Sequence, residues 1–266
     1  MLAAQAIECN VHRSSKENPI AMVAGGMESM SNTPHYLPTS RSGMALGNTQ
    51  LIDGIIHDGL WDPYDNVHMG ICAEKCASEY NISREDQDNY AIESYKRSKE
   101  AIKSGVFNDE IASVNGPKKR GSDTSSDMID TDEEPYSAKI DKLPNLRPAF
   151  DKNGSVTAGN ASSINDGAAA LVIMDEDQAN EMNLKPLARI LGYADAEGPP
   201  VQFTTAPSKA VPIALERSGM TLQDVEYHEI NEGKLVMFLM FVHVSDHLTF
   251  SIKSFFSRSF SKHDDT

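Results

Sequence analysis

The stretch F-D-K-N-G-S-V-T-A-G-N-A-S-S-I-N-D, residues 150–166, decides how this sequence is interpreted. In its second half, small residues alternate with amide and hydroxyl side chains: Ala158, Gly159, Asn160, Ala161, Ser162, Ser163 and Asn165. Small residues let a backbone approach a ligand closely, and the polar side chains supply donors and acceptors. The apolar run G-A-A-A-L-V-I-M at residues 167–174 predicts a buried strand. The pattern therefore predicts a binding loop that leads into a core strand.

The composition describes a packed globular chain and weighs against a nucleic-acid partner. Of 266 residues, 39% are hydrophobic and 24% are charged, which is typical of globular domains. The net charge is −15, whereas nucleic-acid binding needs a basic surface. Three cysteines without metal-ligand spacing indicate a reducing compartment and no disulfide framework. Cys72 and Cys76 lie four apart, as on one helix face, and we interpret them as core residues.

Several local patterns predict secondary structure before this loop. Residues 1–10 are helix-prone, and residues 20–25 predict a short buried strand. The capping-box pattern S-R-E-D at residues 83–86 predicts a helix that runs past Tyr95 to Gly105. The basic triplet at 118–120 and the acidic segment 123–134 lack periodicity and predict surface loops.

After the loop, the pattern alternates between strand and helix. Residues 187–193 predict a strand, residues 208–218 a helix and residues 225–230 a second strand. This order predicts a βαβ unit and places the chain in the α/β class.

The residue 150–166 stretch and its neighbours closely resemble the thiolases, in particular the biosynthetic acetyl-CoA C-acetyltransferases. Further blocks resemble that family in the same order: V-A-G-G-M-E-S-M-S-N at 23–32, H-M-G at 68–70, C-A-E at 72–74, L-R-P-A-F at 146–150 and E-I-N-E at 229–232. The resemblance covers residues 1–232, and so many ordered blocks are highly specific.

The resemblance implies a thiolase-like α/β architecture with two related core domains, both incomplete here, and an inserted loop domain. On that template, residues 1–29 and 165–183 belong to the N-terminal core. Residues 30–164 form the loop domain that covers coenzyme A, and residues 184–232 begin the C-terminal core. Thiolase subunits usually form dimers or tetramers, so we expect thiolase subunits as partners, together with acetyl-CoA or coenzyme A.

The resemblance also implies a reaction. Thiolases join two acetyl-CoA molecules into acetoacetyl-CoA, or reverse that step by thiolysis. The chemistry needs a thiolate to carry the acetyl group, a base and oxyanion holes, but no required cofactor beyond the coenzyme A thioester substrate. Asn231 matches the family asparagine that holds a water in one oxyanion hole.

Other positions match residues that contact the substrate in the family. Ser162 matches the serine that bonds the pantetheine arm, while Ala158 and Phe150 match residues that line coenzyme A. Leu146 and Phe150 resemble the apolar pair near the adenine, and Lys142 could meet its phosphates. His68 and Met69 match residues close to the reacting acyl group.

A potassium ion is a further expectation from the resemblance. Tyr95, in S-Y-K-R-S, resembles a tyrosine of potassium-responsive mitochondrial thiolases. In those proteins it acts with backbone carbonyls that correspond to Ala158, Gly159 and Ala161.

Three catalytic groups of the family have no match in this sequence. The nucleophilic cysteine precedes, in the family, the helix that residues 1–7 begin here. The activating histidine and the acid–base cysteine follow the Asn-Glu block, and residues 233–266 contain neither motif. We therefore expect an acetyl-CoA acetyltransferase by family whose 266-residue chain is inactive alone. The alternative is a non-catalytic thiolase-like subunit that binds coenzyme A or a thiolase partner.

Residues 233–266 form a tail that we interpret as foreign to the family, because six of the nine phenylalanines lie there. The apolar run at 235–242 is shorter than the roughly 20 residues that span a bilayer. A membrane-surface segment with Lys253, Arg258 and Lys262 near aromatic residues is the alternative interpretation. The resemblance leaves a mitochondrial or a cytoplasmic location open.

Overall fold

The computed structural model describes residues 1–11, 20–116 and 128–231. The strands are β1 (Ala21–Ser29), β2 (His35–Tyr36), β3 (Ile52–Asp53), β4 (Trp61–Asp62), β5 (Val67–His68), β6 (Val114–Asn115), β7 (Met128–Ile129) and β8 (Asp166–Met174). The α-helices are α1 (Leu2–Glu8), α2 (Gly54–Gly59), α3 (Met69–Glu79), α4 (Arg84–Ser104), α5 (Glu134–Ser137), α6 (Glu176–Glu181) and α7 (Ala206–Ser218). Short 3-10 helices lie at Met30–Asn32, Ser40–Ser42, Ile140–Asn145, Pro200–Thr205 and Leu222–Asp224.

These elements form two compact units. The described part of the first unit comprises Met1–Cys76 and residues 164–231, and that of the second comprises Ala77–Ser163. The mixture of helices and strands is that of the α/β class, as the sequence predicts. None of the helices in the described ranges has the length and apolarity needed to cross a bilayer.

An antiparallel ribbon of β1 and β8 forms the centre of the first unit. Its register runs from Ala21 opposite Met174 to Ser29 opposite Asp166. Both strands that the sequence predicts here are therefore confirmed. Their predicted burial is wrong, because Val23 and Val172 are each about three-quarters exposed. Apolar sequence favours a strand, but burial depends on which elements cover it. The helix α1 packs on this ribbon and leaves these valines exposed.

The Asp166 carboxylate hydrogen-bonds the chain at the end of the ribbon. The Ser31 backbone N–H donates to Asp166 Oδ1 at 2.9 Å, and the Ser31 hydroxyl donates to Asp166 Oδ2. These hydrogen bonds, that of the hydroxyl foremost, hold the pKa of Asp166 below its usual range. The bonds tie the residue that ends the 150–166 stretch to the turn after β1.

Two adjacent glycines of β1 give a matched test of the ribbon. A Cβ on Gly25 would lie 2.4 Å from the Ala169 carbonyl oxygen, whereas a Cβ on Gly26 would meet nothing within 4 Å. A backbone oxygen cannot rotate away as a side chain can, so Gly25→Ala should destabilise the ribbon by about 1–3 kcal/mol. Gly26→Ala should leave stability unchanged or raise it by a few tenths of a kcal/mol. Urea unfolding of both variants measures the difference, and equal midpoints would contradict the register.

The long helix α4 organises the second unit. Ser83 and Asp86 form the predicted capping box, and Gly105 ends the helix in the left-handed conformation at φ 72°. The predicted helix over residues 83–105 is therefore confirmed. Ala91 of α4 packs with Leu143 of the 3-10 helix Ile140–Asn145 to form the core of this unit.

The predicted βαβ unit is wrong, although its helix is present as α7. Residues 187–193 and 225–230 belong to no strand ladder among the described residues. Leu187 is fully exposed, and Ile190 is about half exposed. An apolar, β-prone segment becomes a strand only when a neighbouring backbone pairs with it, and the sequence pattern does not reveal that neighbour.

The described part of the segment predicted as an acidic loop begins with a short strand, and residues 123–127 lie outside the described residues. Met128 and Ile129 pair with Asn115 and Val114, so the loop prediction is wrong for these two residues. The predicted basic turn at 118–120 and the tail at 233–266 lie outside the described residues.

The prediction that Cys72 and Cys76 are core residues is confirmed. Both lie on α3 and are 1% and 2% exposed, respectively.

Candidate functional site

Asn160 is the centre of the loop that the sequence predicts to bind a ligand. Its side chain is 1% exposed, and both its amide nitrogen and its amide oxygen are hydrogen-bonded inside the second unit. The amide Nδ2 donates to Asp88 Oδ1 at 2.9 Å and to the Ser155 carbonyl at 3.1 Å. The amide Oδ1 accepts the Thr157 backbone N–H at 2.7 Å. The side chain therefore fixes the loop backbone from within.

Two further side chains complete this inner support. The Thr157 hydroxyl accepts the backbone N–H groups of Gly159 and Asn160 at 3.2 and 3.3 Å. Gln87, which is fully buried on α4, donates its amide to the Ser155 hydroxyl at 2.8 Å. The loop therefore directs its polar groups inward at residues 155–160, while Ala158 and Ser162 remain exposed.

Arg84 connects the same support to a second segment. Its Nε donates to Asp88 Oδ2 at 2.7 Å, and its Nη2 donates to the carbonyls of Leu143 and Leu146 at 2.9 and 3.0 Å. The loop and this segment also touch directly. A Cβ on Gly159 would lie 2.2 Å from Leu143 Cδ2 and 2.8 Å from Leu146 Cδ1. Only glycine permits this close approach without repacking.

The second unit contains five of the residues predicted to contact coenzyme A. Lys142 is exposed on the 3-10 helix, and Leu146 and Phe150 are half-buried after it. Ala158 and Ser162 lie on the exposed side of the loop. Arg84 and Asp88, both on α4, hold the Leu146 carbonyl and the Asn160 side chain of the loop, respectively. The binding roles of these residues stay predictions.

The residues predicted to act at the acyl group lie in the first unit. His68 ends β5, and its Nδ1 accepts the Gly70 backbone N–H at 2.9 Å, which supports the start of α3 at Met69. Asn231 is exposed and lies outside helices and strands. Burial lowers the pKa of the half-buried His228, which lies three residues before it. The oxyanion role of Asn231 and the acyl-lining roles of His68 and Met69 stay predictions.

The residues predicted to hold potassium have suitable chemistry. The Tyr95 hydroxyl donates to Glu134 Oε1 at 3.2 Å, and burial followed by this carboxylate raises the pKa of Tyr95. A hydroxyl beside a carboxylate, with loop carbonyls at Ala158, Gly159 and Ala161, supplies oxygen ligands of the kind that alkali cations take. Within residues 1–11, 20–116 and 128–231, no cluster of three His, Cys, Asp or Glu side chains could hold a metal.

The sequence patterns do not identify Arg84, Gln87 and Asp88 as parts of the site. An i,i+4 Arg–Asp pair is visible in the sequence, but it is usually a surface pair. Asp88 is instead 4% exposed and Gln87 is fully buried. The role of Asp88 becomes visible only through its hydrogen bond with Asn160, which lies 72 residues away along the chain.

Comparisons with known proteins cover most of the chain. The thiolase N-terminal domain matches residues 2–177, and the thiolase C-terminal domain matches residues 184–250. The second match continues into the segment predicted to be foreign to the family, and the boundary at residue 232 stays a prediction.

Curated relatives are named acetyl-CoA acetyltransferases. The protein of Yarrowia lipolytica is 52% identical over 232 residues, which are 87% of this chain and 55% of that protein. The protein of Schizosaccharomyces pombe is 47% identical over 216 residues, which are 81% of this chain and 54% of that protein. This chain therefore spans about half the length of the curated relatives it matches.

Solved structures agree with these relatives. A thiolase of Ascaris suum, solved in complex with coenzyme A, has a TM-score of 0.79 at 40% identity, covering 91% of this chain and 59% of that one. The acetyl-CoA acetyltransferase of Bacillus anthracis has a TM-score of 0.83 at 37% identity, covering 92% and 60%. The ordered sequence blocks, the domain matches and the shared fold agree, and the chain belongs to the thiolase family.

Proposed function

We propose that this chain supplies a coenzyme A-binding part of an acetyl-CoA acetyltransferase. The observation that supports the proposal most directly is the loop at residues 155–163, which is fixed from within by Asn160 and Thr157 and leaves Ser162 exposed. A loop that is rigid before the ligand arrives loses little conformational entropy on binding. The resemblance to a thiolase solved with coenzyme A supports the same ligand.

The reaction class of the proposal is acyl transfer between coenzyme A thioesters, by condensation or by thiolysis. In this proposal Ser162 bonds the pantetheine arm, and Ala158, Leu146 and Phe150 line the ligand. Lys142 meets phosphate, and His68 and Met69 lie near the acyl group. Asn231 holds the oxyanion-hole water. The names of the curated relatives favour this acetyltransferase interpretation over a non-catalytic subunit.

We further propose that the 266-residue polypeptide does not turn over by itself. Thiolase chemistry needs an accessible thiolate, since a thiol must attack one acyl group and later leave it. Cys72 and Cys76 are buried in α3, and Cys9 lies at the exposed end of α1. In the family resemblance, none of the three occupies the position of a catalytic cysteine.

A potassium ion, where it binds, would be held by the Tyr95 hydroxyl and by the carbonyls of Ala158, Gly159 and Ala161. Its charge would stiffen the loop that carries Ser162. This part of the proposal predicts that coenzyme A binds more tightly in potassium chloride than in sodium chloride of equal strength, as calorimetry would show.

Replacing Ser162 with Ala tests the coenzyme A proposal. Loss of one hydrogen bond to the pantetheine arm, worth roughly 1–1.5 kcal/mol, should raise the Kd for coenzyme A about tenfold. Isothermal titration calorimetry on the purified chain measures this change.

Ser78→Ala is the matched control, because Ser78 is an exposed serine of the same unit that lies on α3. Its Kd should equal that of the unmodified chain. Absence of coenzyme A binding by the unmodified chain, or equal Kd values for both variants, would refute the assignment of Ser162.

A further inference from the structure

Arg84 occupies a position that helix electrostatics disfavours. It is the first residue of α4, where the partial positive charge of the helix N-terminus repels a cation. The neighbouring residues Glu85 and Asp86 follow the usual preference for acids in the first turn. The stability of α4 therefore does not explain why a cation is at this position.

The contacts of Arg84 give a different reason. The guanidinium bonds Asp88 through Nε and two main-chain carbonyls, those of Leu143 and Leu146, through Nη2. Lysine does not reproduce this arrangement, because its three N–H donors share one nitrogen, whereas the bonds of Arg84 leave from two nitrogens of a rigid plane. The guanidinium therefore joins the Asp88 carboxylate to the carbonyls of Leu143 and Leu146, which lie 59 and 62 residues after Arg84 in the sequence.

Asp88 extends this connection to the loop. One oxygen accepts from Arg84 and the other accepts from Asn160, so a single buried carboxylate bridges two segments that are distant in sequence. Asn160 then holds the Thr157 N–H and the Ser155 carbonyl. The chain of bonds Arg84–Asp88–Asn160, which we call the relay, thus ends on Leu146 at one side and on the 155–160 backbone at the other.

We propose that the relay is a positioning device, which sets the distance between the surface around Leu146 and the loop that carries Ser162. The inference rests on the proposed coenzyme A function, in which Leu146 lies near the nucleotide end and Ser162 near the pantetheine arm. Arg84, Asp88 and Asn160 touch no ligand in this proposal, and they act through the residues they hold. A ligand that spans both ends depends on their spacing, whereas a ligand that occupies one end does not.

The two ends of the relay can be broken separately. Arg84→Lys keeps the charge but loses the fork, so it releases the Leu143 and Leu146 carbonyls. Asp88→Asn replaces one of the two acceptor oxygens by an NH₂ group. The donor group of either Arg84 or Asn160 then meets another donor and loses its hydrogen bond. Glu93 and Arg97 form a partly exposed i,i+4 pair on the same helix, with Arg97 Nε 3.0 Å from Glu93 Oε1. Arg97→Lys and Glu93→Gln are therefore the matched controls.

Calorimetry with coenzyme A and with pantetheine, on the full chain, tests the relay. Arg84→Lys should raise the Kd for coenzyme A about tenfold, which corresponds to the free energy of roughly one hydrogen bond. The Kd for pantetheine should stay unchanged, because pantetheine does not reach the surface around Leu146. Asp88→Asn should raise both Kd values, and the two control variants should change neither. A purely destabilising effect of Arg84→Lys would raise the Kd values for coenzyme A and pantetheine in proportion, or change neither of them.

Hydrogen exchange of the unliganded chain provides a second readout. Asp88→Asn should speed exchange at the amides of Thr157 and Asn160 without speeding it at the far end of α4. Failure of the unmodified chain to bind coenzyme A would refute the proposed function, while exchange would still decide whether the relay holds the loop. Binding of coenzyme A with unchanged Kd values and unchanged exchange in Asp88→Asn and Arg84→Lys would refute the relay.

Discussion

The purified 266-residue polypeptide should cleave acetoacetyl-CoA at least roughly 10⁴-fold more slowly than an intact thiolase, because members of a catalytic unit cannot substitute for one another. Acyl transfer by this family passes the acetyl group through a cysteine. Cys72 and Cys76 are 1% and 2% exposed, so neither sulfur can reach a thioester without unfolding α3. Cys9 is accessible, but nothing in the family resemblance gives it a base.

Loss of acetoacetyl-CoA in the presence of free coenzyme A, followed by absorbance, measures this activity. The acetyl-CoA acetyltransferase of Yarrowia lipolytica, assayed at the same concentration, supplies the reference rate. Turnover near that rate, abolished by Cys9→Ala but not by Cys72→Ala, would show that Cys9 is the nucleophile and that the proposal of inactivity is wrong.

The elements that the sequence predicts correctly are those set by local signals. A capping box and a left-handed glycine define both ends of α4, and these signals act within a few residues. The β1 and β8 strands also follow from local apolar runs. Residues 187–193 carry the same kind of apolar signal but remain unpaired within the described chain. Strand formation depends on a partner backbone, which a local pattern does not contain.

The candidate site shows the same division between local and distant information. Small and polar residues at 158–163 indicate a binding loop, because small residues let a ligand approach the backbone and polar residues supply hydrogen-bond donors and acceptors. What makes the loop rigid is the bond from Asn160 to Asp88, across 72 residues of sequence. A buried carboxylate in a helix of mostly polar composition looks like a surface residue until its partner is known. The sequence therefore indicates where a ligand could bind but not what holds the loop in place.

Arg84→Met should destabilise the second unit by about 3 kcal/mol, because it leaves the Asp88 carboxylate buried without its cation. The side chain of Asp88 is 6% exposed, and that of Arg84 is 26% exposed, so water replaces the lost bond poorly. Removal of a cation from the helix N-terminus acts in the opposite direction, but by only about 0.3–1 kcal/mol. The cost of the unpaired buried charge exceeds this gain, so the net effect is a loss of stability.

Native-state hydrogen exchange at the amides of α4 measures the opening free energy of this unit directly. Arg97→Met is the matched control, because Arg97 and Glu93 also form an i,i+4 pair on α4, in the reverse order, with side chains 34% and 43% exposed. A helical i,i+4 pair that solvent reaches contributes about 0.3–0.5 kcal/mol, so the control should lower the opening free energy by roughly that amount. The double variant Arg84→Met with Asp88→Asn removes both charges and keeps an amide oxygen that can accept the Asn160 amide. It should recover part of the loss if the unpaired carboxylate causes it. Equal effects of Arg84→Met and Arg97→Met would show that the Arg84–Asp88 pair behaves as a surface ion pair.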